Sequence, residues 1–382
     1  MSKSFDVMVI GAGSVGTPLA MSLAGEGASV ICVDSNGSAG QGNNKSAIGG
    51  IRATHGEPAK VVLCLHSLEV FRTWEERFGD DIGWCQGGYT YVAYDEATAN
   101  LFQTMIPVQQ DAGLDIHWKT PLEISTLVPG ITPDGLLGGT FSPGDGSANP
   151  MSSCYAFYRR ARELGAVFGF GETVIAMDRV QGCYDVTTDR DSYSCGVVVN
   201  CGGATAPTLG RMLGVELPIY PDSHEAGITE PVQRFFGPMV VDIRKAPGSA
   251  NYYFYQHDTG QIVFCITPDP PIMGTDSRET SEFLPMVSGR MVKLYPRLAN
   301  LKVRRTWRGS YPQTPDGSPI IGQFGPPGHY IAVGMCGQGF MLGPGVGDLM
   351  ARLIAGRETA RDLTVLEDLR LDREFTSEEA LK

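Results

Sequence analysis

The segment from Phe5 to Asp34 limits what this chain can fold into more than any other. Phe5-Asp6-Val7-Met8-Val9-Ile10 reads as a short buried strand, and Gly11-Ala12-Gly13-Ser14-Val15-Gly16 follows at once. Val15, Leu19, Ala20, Leu23 and Ala24 then recur at helical spacing, and a second apolar run, Val30-Ile31-Cys32-Val33, ends at Asp34. Strand, GxGxxG, helix, strand and acid, in that order, bind the ADP half of a dinucleotide. Gly11 allows the tight turn, Gly13 lets backbone approach a pyrophosphate, and Gly16 lets the helix pack close to the strand. The helix N-terminus offers free N–H groups and a positive dipole end to the phosphates. Asp34, roughly 20 residues past the first glycine, is placed to accept from the ribose hydroxyls. The alternative is a glycine-rich turn in some other α/β protein.

At 382 residues the chain has room for more than one domain-sized unit. A net charge of −12 argues against nucleic acid or an anionic membrane surface as a partner. It does not oppose a small anionic substrate, because one arginine sets the local field of a pocket. The nine cysteines form no CxxC pair and scatter through apolar strands, which suits reduced thiols and a cytoplasmic location. The six histidines show no paired ligand spacing, so no metal site is expected. Phe5 to Ala24 with Lys3 ahead of it has some look of a signal peptide, but Asp6 interrupts the run and the glycines fall where a nucleotide needs them. No other stretch is long and apolar enough to span a bilayer.

Further along, residues 36–51 are rich in Gly, Ser and Asn and lead into Arg52, with no packing face of their own. They read as backbone laid along a ligand, or as an ordinary surface loop. Val61, Leu65, Leu68, Phe71 and Trp74 predict a helix over 58–78, Tyr89 to Tyr94 a strand, and 95–112 a helix. The turn Gly144-Asp145-Gly146-Ser147-Ala148-Asn149-Pro150 precedes a helix over about 151–164. Strands are expected near 166–177, 183–188 and 193–200, the last running into Cys201-Gly202-Gly203-Ala204. Residues 217–300 alternate instead, with strands at 223–230, 238–243, 251–256 and 261–266, which predicts an antiparallel sheet. Gly337-Gln338-Gly339-Phe340 opens a last long helix, roughly 341–356. The fold class is therefore α/β, with a discontinuous Rossmann-like nucleotide domain and an α+β domain whose sheet is mostly antiparallel. The expected boundaries are 1–85, 146–215 and 301–382 for the first, and 86–145 and 216–300 for the second.

Four stretches together resemble the D-amino-acid-oxidase superfamily of FAD flavoproteins, in the branch of sarcosine oxidase, glycine oxidase and the β subunit of L-proline dehydrogenase. They are the N-terminal fingerprint, the Gly42-to-Glu57 segment with Ile51-Arg52 and Gly56-Glu57, the Gly144-to-Pro150 turn, and the C-terminal Arg305-Thr306-Trp307, Thr314-Pro315-Asp316-Gly317 and Gly337-Gln338-Gly339-Phe340 with Gly347. The resemblance implies FAD in an extended pose. Gly11, Gly13, Ser14 and Gly16 would hold its pyrophosphate and Asp34 its ribose. Gly42, Asn43, Asn44 and Lys45 would run on towards the flavin, the backbone of Val174 would pair with adenine, and Cys201 and Gly202 would back the adenine side. Gly337, Gly339, Phe340 and Met341 would place a helix N-terminus at the flavin edge that gains negative charge on reduction.

Flavin oxidation of an amine needs little acid–base machinery: a neutral amine gives its Cα hydride to flavin N5, and the protein positions the two. The resemblance makes Arg52 the anchor of the substrate carboxylate, a task that suits a guanidinium fork; a structural salt bridge is the alternative. Tyr253 and Tyr311 match pocket tyrosines of the family, and His224 falls on the sheet strand that faces the flavin. Three departures from sarcosine oxidase stand out. The tethering cysteine is Gly309, so FAD is expected without a covalent bond. The second carboxylate-binding lysine is Met341. The lysine that promotes reaction with oxygen falls at or near Cys265, which leans the chain from oxidase towards dehydrogenase. The expected activity is oxidation of the CH–NH bond of a small amino acid, proline- or sarcosine-like. Alternatives are a glycine or D-amino-acid oxidase, a flavin-bearing β subunit that needs a partner subunit or a separate electron acceptor, and an NAD(P)-dependent dehydrogenase.

Overall fold

The two apolar runs that flank the glycines lie side by side in parallel in the computed structural model of the chain, which describes residues 3–375 together with 379 and 381. They are the strands Lys3–Ile10 and Val30–Asp34, joined by the helix Gly16–Gly25. Their sheet runs Ile320–Gln323, His329–Val333, Ser192–Asn200, Lys3–Ile10, Val30–Asp34, Val167–Phe170; Cys183–Thr188 pairs off Ser192–Asn200, and Val174–Val180 pairs with Cys183–Thr188. Val7, Met8, Val9, Ile10 and Val30 to Val33 are all buried, as a sheet covered on both faces requires. Val7, Val9, Val30 and Cys32 pack under the helices Gly16–Gly25, Pro58–Phe78, Pro150–Glu163 and Gly339–Ile354. Met8, Ile10, Ile31 and Val33 pack the other way, against Met177, Tyr184, Val186 and Leu209.

The second sheet runs Val303–Gln313, Tyr220–Thr229, Ile262–Asp269, Gly248–Gln256, Met239–Asp242, Tyr89–Ala93, Gly138–Ser142, His117–Lys119. Every pairing is antiparallel except that of Met239–Asp242 with Tyr89–Ala93. Period-two alternation gives this sheet two characters. Val92, Val240, Tyr252, Phe254, Phe264 and Ile266 close a core with the helices Pro121–Leu127 and Phe283–Leu294. Tyr89, Tyr91, Val241, Tyr253, Tyr255 and Trp307 point the other way. A two-stranded ribbon, Gly50–Ile51 with Gly146–Ser147, joins the glycine-rich segment to the 144–150 turn.

Several expectations need correction. The strand expected over 166–177 is two strands, broken by a turn at Gly171, whose φ of 65° only glycine adopts without strain. That turn places Glu172 N on the carbonyl of Asp34, at the end of the second strand. Residues 217–300 hold a helix as well as strands. Phe283, Val287, Met291 and Leu294 are its buried stripe, and Pro285 fits because the first helical turn has no N–H partner to lose. The last helix starts at Gly339, two residues early, and ends at Ile354. The Val303–Gln313 strand pairs along Tyr220–Thr229 in the second sheet.

The C-terminal helix explains its own glycines. A Cβ on Gly343 would overlap the carbonyl oxygen of Ser14, and one on Gly345 would overlap that of Leu63. Interior glycines cost helix stability, and here they let one helix lie against both the fingerprint loop and the 58–78 helix. Gly343→Ala is therefore expected to destabilise the fold by about 1–3 kcal/mol, the usual cost of overpacking, despite the better helix propensity of alanine. Urea denaturation checks this; a variant as stable as the parent means that the helices do not need this approach.

Candidate functional site

The two sheets and the fingerprint loop enclose a cavity of about 510 Å³, within the range of ligand pockets. Gly11, Gly13, Ser14, Asp34, Gly42, Asn43, Asn44, Val174, Cys201, Gly202, Gly337, Gly339, Phe340 and Met341 line it, as do Arg52, His224, Tyr253, Gly309 and Tyr311. Two residues expected at the cofactor do not. Gly16 lies behind the loop, where a Cβ would overlap the Gly11 carbonyl, so it acts through helix–strand packing. Lys45 is exposed on the short turn Asn43–Ser46, whose inward residue is the buried Asn44.

At the nucleotide end the backbone is open to a ligand. A Cβ on Gly13 would meet nothing within 4 Å. The helix Gly16–Gly25 has no side-chain cap and no acid in its first turn, so its leading N–H groups face the cavity side uncompensated. Asp34 has a second task. Its Oδ2 accepts from Ala12 N at 2.7 Å and its Oδ1 from Asn36 N at 2.8 Å, so it also ties the glycine loop closed. At the far end the Gly339–Ile354 helix likewise lacks a side-chain cap and a first-turn acid. Cys336 and Gly337 precede it with φ of 49° and 79°, and Gly337 lies so close to the Tyr311 ring that no Cβ fits between them.

Buried polar atoms without partners among the described residues mark where a polar ligand fits. Asn44 Oδ1, His224 Nδ1, Ser310 Oγ, Gln313 Oε1 and Gln338 Oε1 are such atoms, and all five residues line the cavity. Unpaired buried acceptors and donors are costly. A long, polar dinucleotide and a small polar substrate along this cavity would together supply their partners.

The face of the second sheet that carries Tyr89, Tyr91 and Tyr253 forms the other wall. Tyr253 and Tyr311 share a hydrogen bond between their hydroxyls at 3.2 Å. Burial, then Cys265, push both above the ordinary phenol range, so they stay neutral. Tyr311 stacks on His224 at 3.8 Å between ring centres, and His224 Nε2 lies 2.9 Å from Asp222 Oδ2. Cys265 sits behind the tyrosines, 2% exposed, and burial pushes its thiol up to about 12. Among the described residues no lysine lines the cavity. Gly309 faces Ser46: a Cβ at 309 would stand 2.5 Å from the Ser46 Cβ.

Arg52 is 6% exposed at the cavity wall. Its Nη1 donates to Thr54 O and to His55 Nδ1, and its Nη2 donates to Leu381 O at 2.7 Å. Burial, then Arg52 and Lys60, hold His55 well below the usual imidazole range, which keeps Nδ1 an acceptor. No carboxylate pairs with Arg52 among the described residues. The nearby Glu379 forms a fully buried ion pair with Lys60 and also accepts from Gly56 N at 2.9 Å. A buried guanidinium held only by neutral groups keeps its charge available to an incoming anion.

Sequence reasoning missed three supports of this site. Asp145, in a turn it did single out, accepts from Ala53 N at 3.0 Å, Thr54 Oγ1 at 3.0 Å and Ser142 Oγ at 2.6 Å, and so fixes the backbone that carries Arg52. Asp222 is two residues before His224 on a strand, hence on the same face, and that spacing was a usable signal. Leu381 gave no signal, since its contribution is a backbone carbonyl.

Burial outweighs the hydrogen bonds at Asp145 and raises its carboxyl from 3.8 to about 6. A raised acid pKa means that the folded chain binds the proton more tightly than the unfolded chain. Its contribution to stability is therefore lost as pH rises from about 4 to about 6, by up to about 3 kcal/mol. Asp145→Asn keeps an acceptor for Ala53 N and is expected to lack this slope. Denaturation of both proteins across pH 4–7 checks this; parallel profiles would refute it.

Residues 6–353 match the family model described as FAD dependent oxidoreductase. L-proline dehydrogenase from P. horikoshii has a solved structure that is 30% identical, aligns over 98% of this chain and 99% of its own, and superimposes with a TM-score of 0.90. Glycine oxidase of Geobacillus kaustophilus is 26% identical over 95% of this chain and 96% of its own length. Mitochondrial sarcosine dehydrogenase of Mus musculus is 25% identical over 95% of this chain, which spans 41% of that longer protein. No described helix is long and apolar enough to cross a membrane.

Proposed function

Because the chain belongs to the FAD-dependent oxidoreductase family, we propose that it oxidises the CH–NH bond of a small amino acid, with Arg52 as the anchor of the substrate carboxylate. The observation that carries this reading is the buried Arg52 at the cavity wall, whose guanidinium has no acidic partner among the described residues. A substrate carboxylate is the counter-ion that such a charge lacks. The likeness to a protein named L-proline dehydrogenase favours a secondary amine among the amino acids.

The open glycine loop, the uncapped helix N-termini and the partnerless polar atoms support FAD as the occupant of the cavity. In this reading Gly11, Gly13, Ser14 and Asp34 hold the ADP half, and Gly42, Asn43, Asn44, Val174, Cys201 and Gly202 line its path. Gly337, Gly339, Phe340 and Met341 bring the C-terminal helix to the flavin. When bound, the flavin supplies the acceptor for the Cα hydride. The rest is done by this chain. Arg52 fixes the carboxylate, and the neutral phenols of Tyr253 and Tyr311 wall the substrate. The buried sheet face excludes water from the reacting carbon. The uncapped Gly339–Ile354 helix stabilises negative charge at its N-terminus.

Gly309 carries no thiol and packs against Ser46, so the cofactor is held without a covalent bond. Acid precipitation of the purified protein is expected to leave all flavin in the supernatant. Yellow colour retained in the pellet would instead point to attachment through another residue, Cys336 for instance.

Arg52→Lys replaces a fork by a point charge and is expected to raise KM about 10- to 100-fold, the effect of losing one charge-assisted hydrogen bond of 1.5–3 kcal/mol. FAD affinity should change far less. An anaerobic flavin-bleaching screen with proline, sarcosine, glycine and D-amino acids identifies the substrate for this measurement. An unchanged KM would place the anchor elsewhere, and failure of every amino acid to bleach the flavin would remove the activity itself.

A further inference from the structure

We propose that Asp222 and His224 form a proton-accepting dyad, in which His224 Nδ1 takes the proton that the substrate ammonium must lose before its Cα hydride can leave. This rests on the reading of the cavity as an amino-acid site. It adds a catalytic base at His224 and a positioning residue at Asp222.

The geometry begins on one strand. Asp222 and His224 are two apart on Tyr220–Thr229, so both side chains project from the same face of the sheet. They are 4% exposed each. Asp222 Oδ1 accepts from Ile272 N at 3.0 Å, which fixes the carboxylate, and Oδ2 lies 2.9 Å from His224 Nε2. A carboxylate only accepts, so the imidazole hydrogen sits on Nε2. Nδ1 is then a bare lone pair. It is buried, it has no partner among the described residues, and its residue lines the cavity. Tyr311 stacked at 3.8 Å holds the ring flat against one wall. His55 by contrast has both nitrogens bonded, through Arg52 and Cys64, and His329, whose Nε2 is also bare, does not line the cavity.

The chemistry offers such a group one task, ahead of the hydride step. Free amino acids near neutral pH carry an ammonium, whose nitrogen has no lone pair to stabilise the carbon that loses hydride. In the step assigned to His224, an N–H bond of the ammonium breaks and an Nδ1–H bond forms. The electron pair stays on the substrate nitrogen and later becomes part of the C=N bond. No electrons pass to the protein. The imidazolium so formed faces the Asp222 carboxylate, which stabilises it. The two-electron oxidation of the amine remains a hydride transfer to the flavin, as in the parent reading.

The titratable groups around His224 are compatible with this role. Asp222 shares its strand and face, while Glu225 points to the other side and accepts from Thr280 N and Oγ1. The neighbouring strand Val303–Gln313 contributes Tyr311 and, at the position paired with Glu225, Arg308, which donates to Arg278 O. Ile262–Asp269 contributes Cys265 and Gly248–Gln256 contributes Tyr253, both kept neutral by burial. Arg52 lies in the wall of the same cavity, committed to the carboxylate.

Two measurements on the FAD-loaded protein test the dyad. The first is the anaerobic bleaching rate with proline or sarcosine across pH, in the parent, His224→Gln and Asp222→Asn. At pH 7.5 the His224→Gln rate is expected to fall about 100-fold, the lower range for general-base catalysis. It should climb steadily with pH and approach the parent rate where the free amine predominates. Asp222→Asn presents an amide hydrogen to Nε2, shifts the ring hydrogen to Nδ1, and should give the same profile. The second is a readout without turnover. In protein labelled with ¹⁵N at histidine, the parent is expected to show the His224 hydrogen on Nε2 and a bare Nδ1, and Asp222→Asn the opposite tautomer. Parallel pH profiles in parent and His224→Gln, or a parent His224 that carries its hydrogen on Nδ1, would overturn the dyad while leaving amino-acid oxidation intact. No bleaching of the parent by any amino acid at any pH would overturn both.

Discussion

Burying Arg52 without an acid obliges the surrounding chain to supply neutral acceptors and to hold them still, and much of the local architecture follows from that requirement. The Thr54 carbonyl is in place because Asp145 clamps residues 53 and 54. Asp145 is in place because Gly50–Ile51 pairs with Gly146–Ser147. The Leu381 carbonyl is in place because Glu379, two residues earlier, is locked to Lys60. Each device spends a polar group on geometry and keeps the guanidinium free of a carboxylate. An internal Asp or Glu beside Arg52 would make a tighter, more stable protein and leave it unable to receive an anion, a familiar opposition between stability and function.

The second sheet meets the first through a face that is unusually phenolic. Tyr89, Tyr91, Tyr253, Tyr255 and Tyr311 lie around the cavity or beside it, while the opposite face is packed with Phe254, Phe264 and Val240. Phenols suit a surface that must be dry and still offer hydrogen bonds. Their elevated pKa values keep them uncharged donors beside a cation. The Gly339–Ile354 helix completes the assembly, because its glycines let backbone meet backbone at the fingerprint loop. Fingerprint, sheet face and C-terminal helix come from the start, middle and end of the chain, so the cavity exists only in the finished fold.

The sequence was most legible where local and tertiary signals coincide. The Phe5–Asp34 unit announces itself because glycine positions, apolar periodicity and the terminal acid all demand the same turn. The 58–78 helix was readable to the residue from its stripe and from Pro58 after Glu57. Legibility failed where a residue works through its backbone or its partner. Leu381 contributes a carbonyl that any amino acid carries. The helix Phe283–Leu294 hid behind Pro285 and Gly289, which are breakers in isolation and tolerated once the stripe is buried. The Asp222–His224 pair was visible as spacing, but only the fold shows that Nδ1 is left bare.

Gly309 carries a consequence for how this scaffold can change. Its Cα approaches Ser46 so closely that even a methyl group at 309 needs Ser46 to withdraw. Ser46 is itself held, since its carbonyl accepts from Trp307 Nε1 at 2.9 Å and its hydroxyl reaches Arg308 O. A cysteine at 309 in this background would arrive against an occupied space. The path to a side chain there runs through position 46 first, with a glycine that vacates the contact, and only then through 309. The two positions touch each other, so substitutions at them are not additive. The order in which mutations can accumulate at this wall is thus written into one interatomic gap.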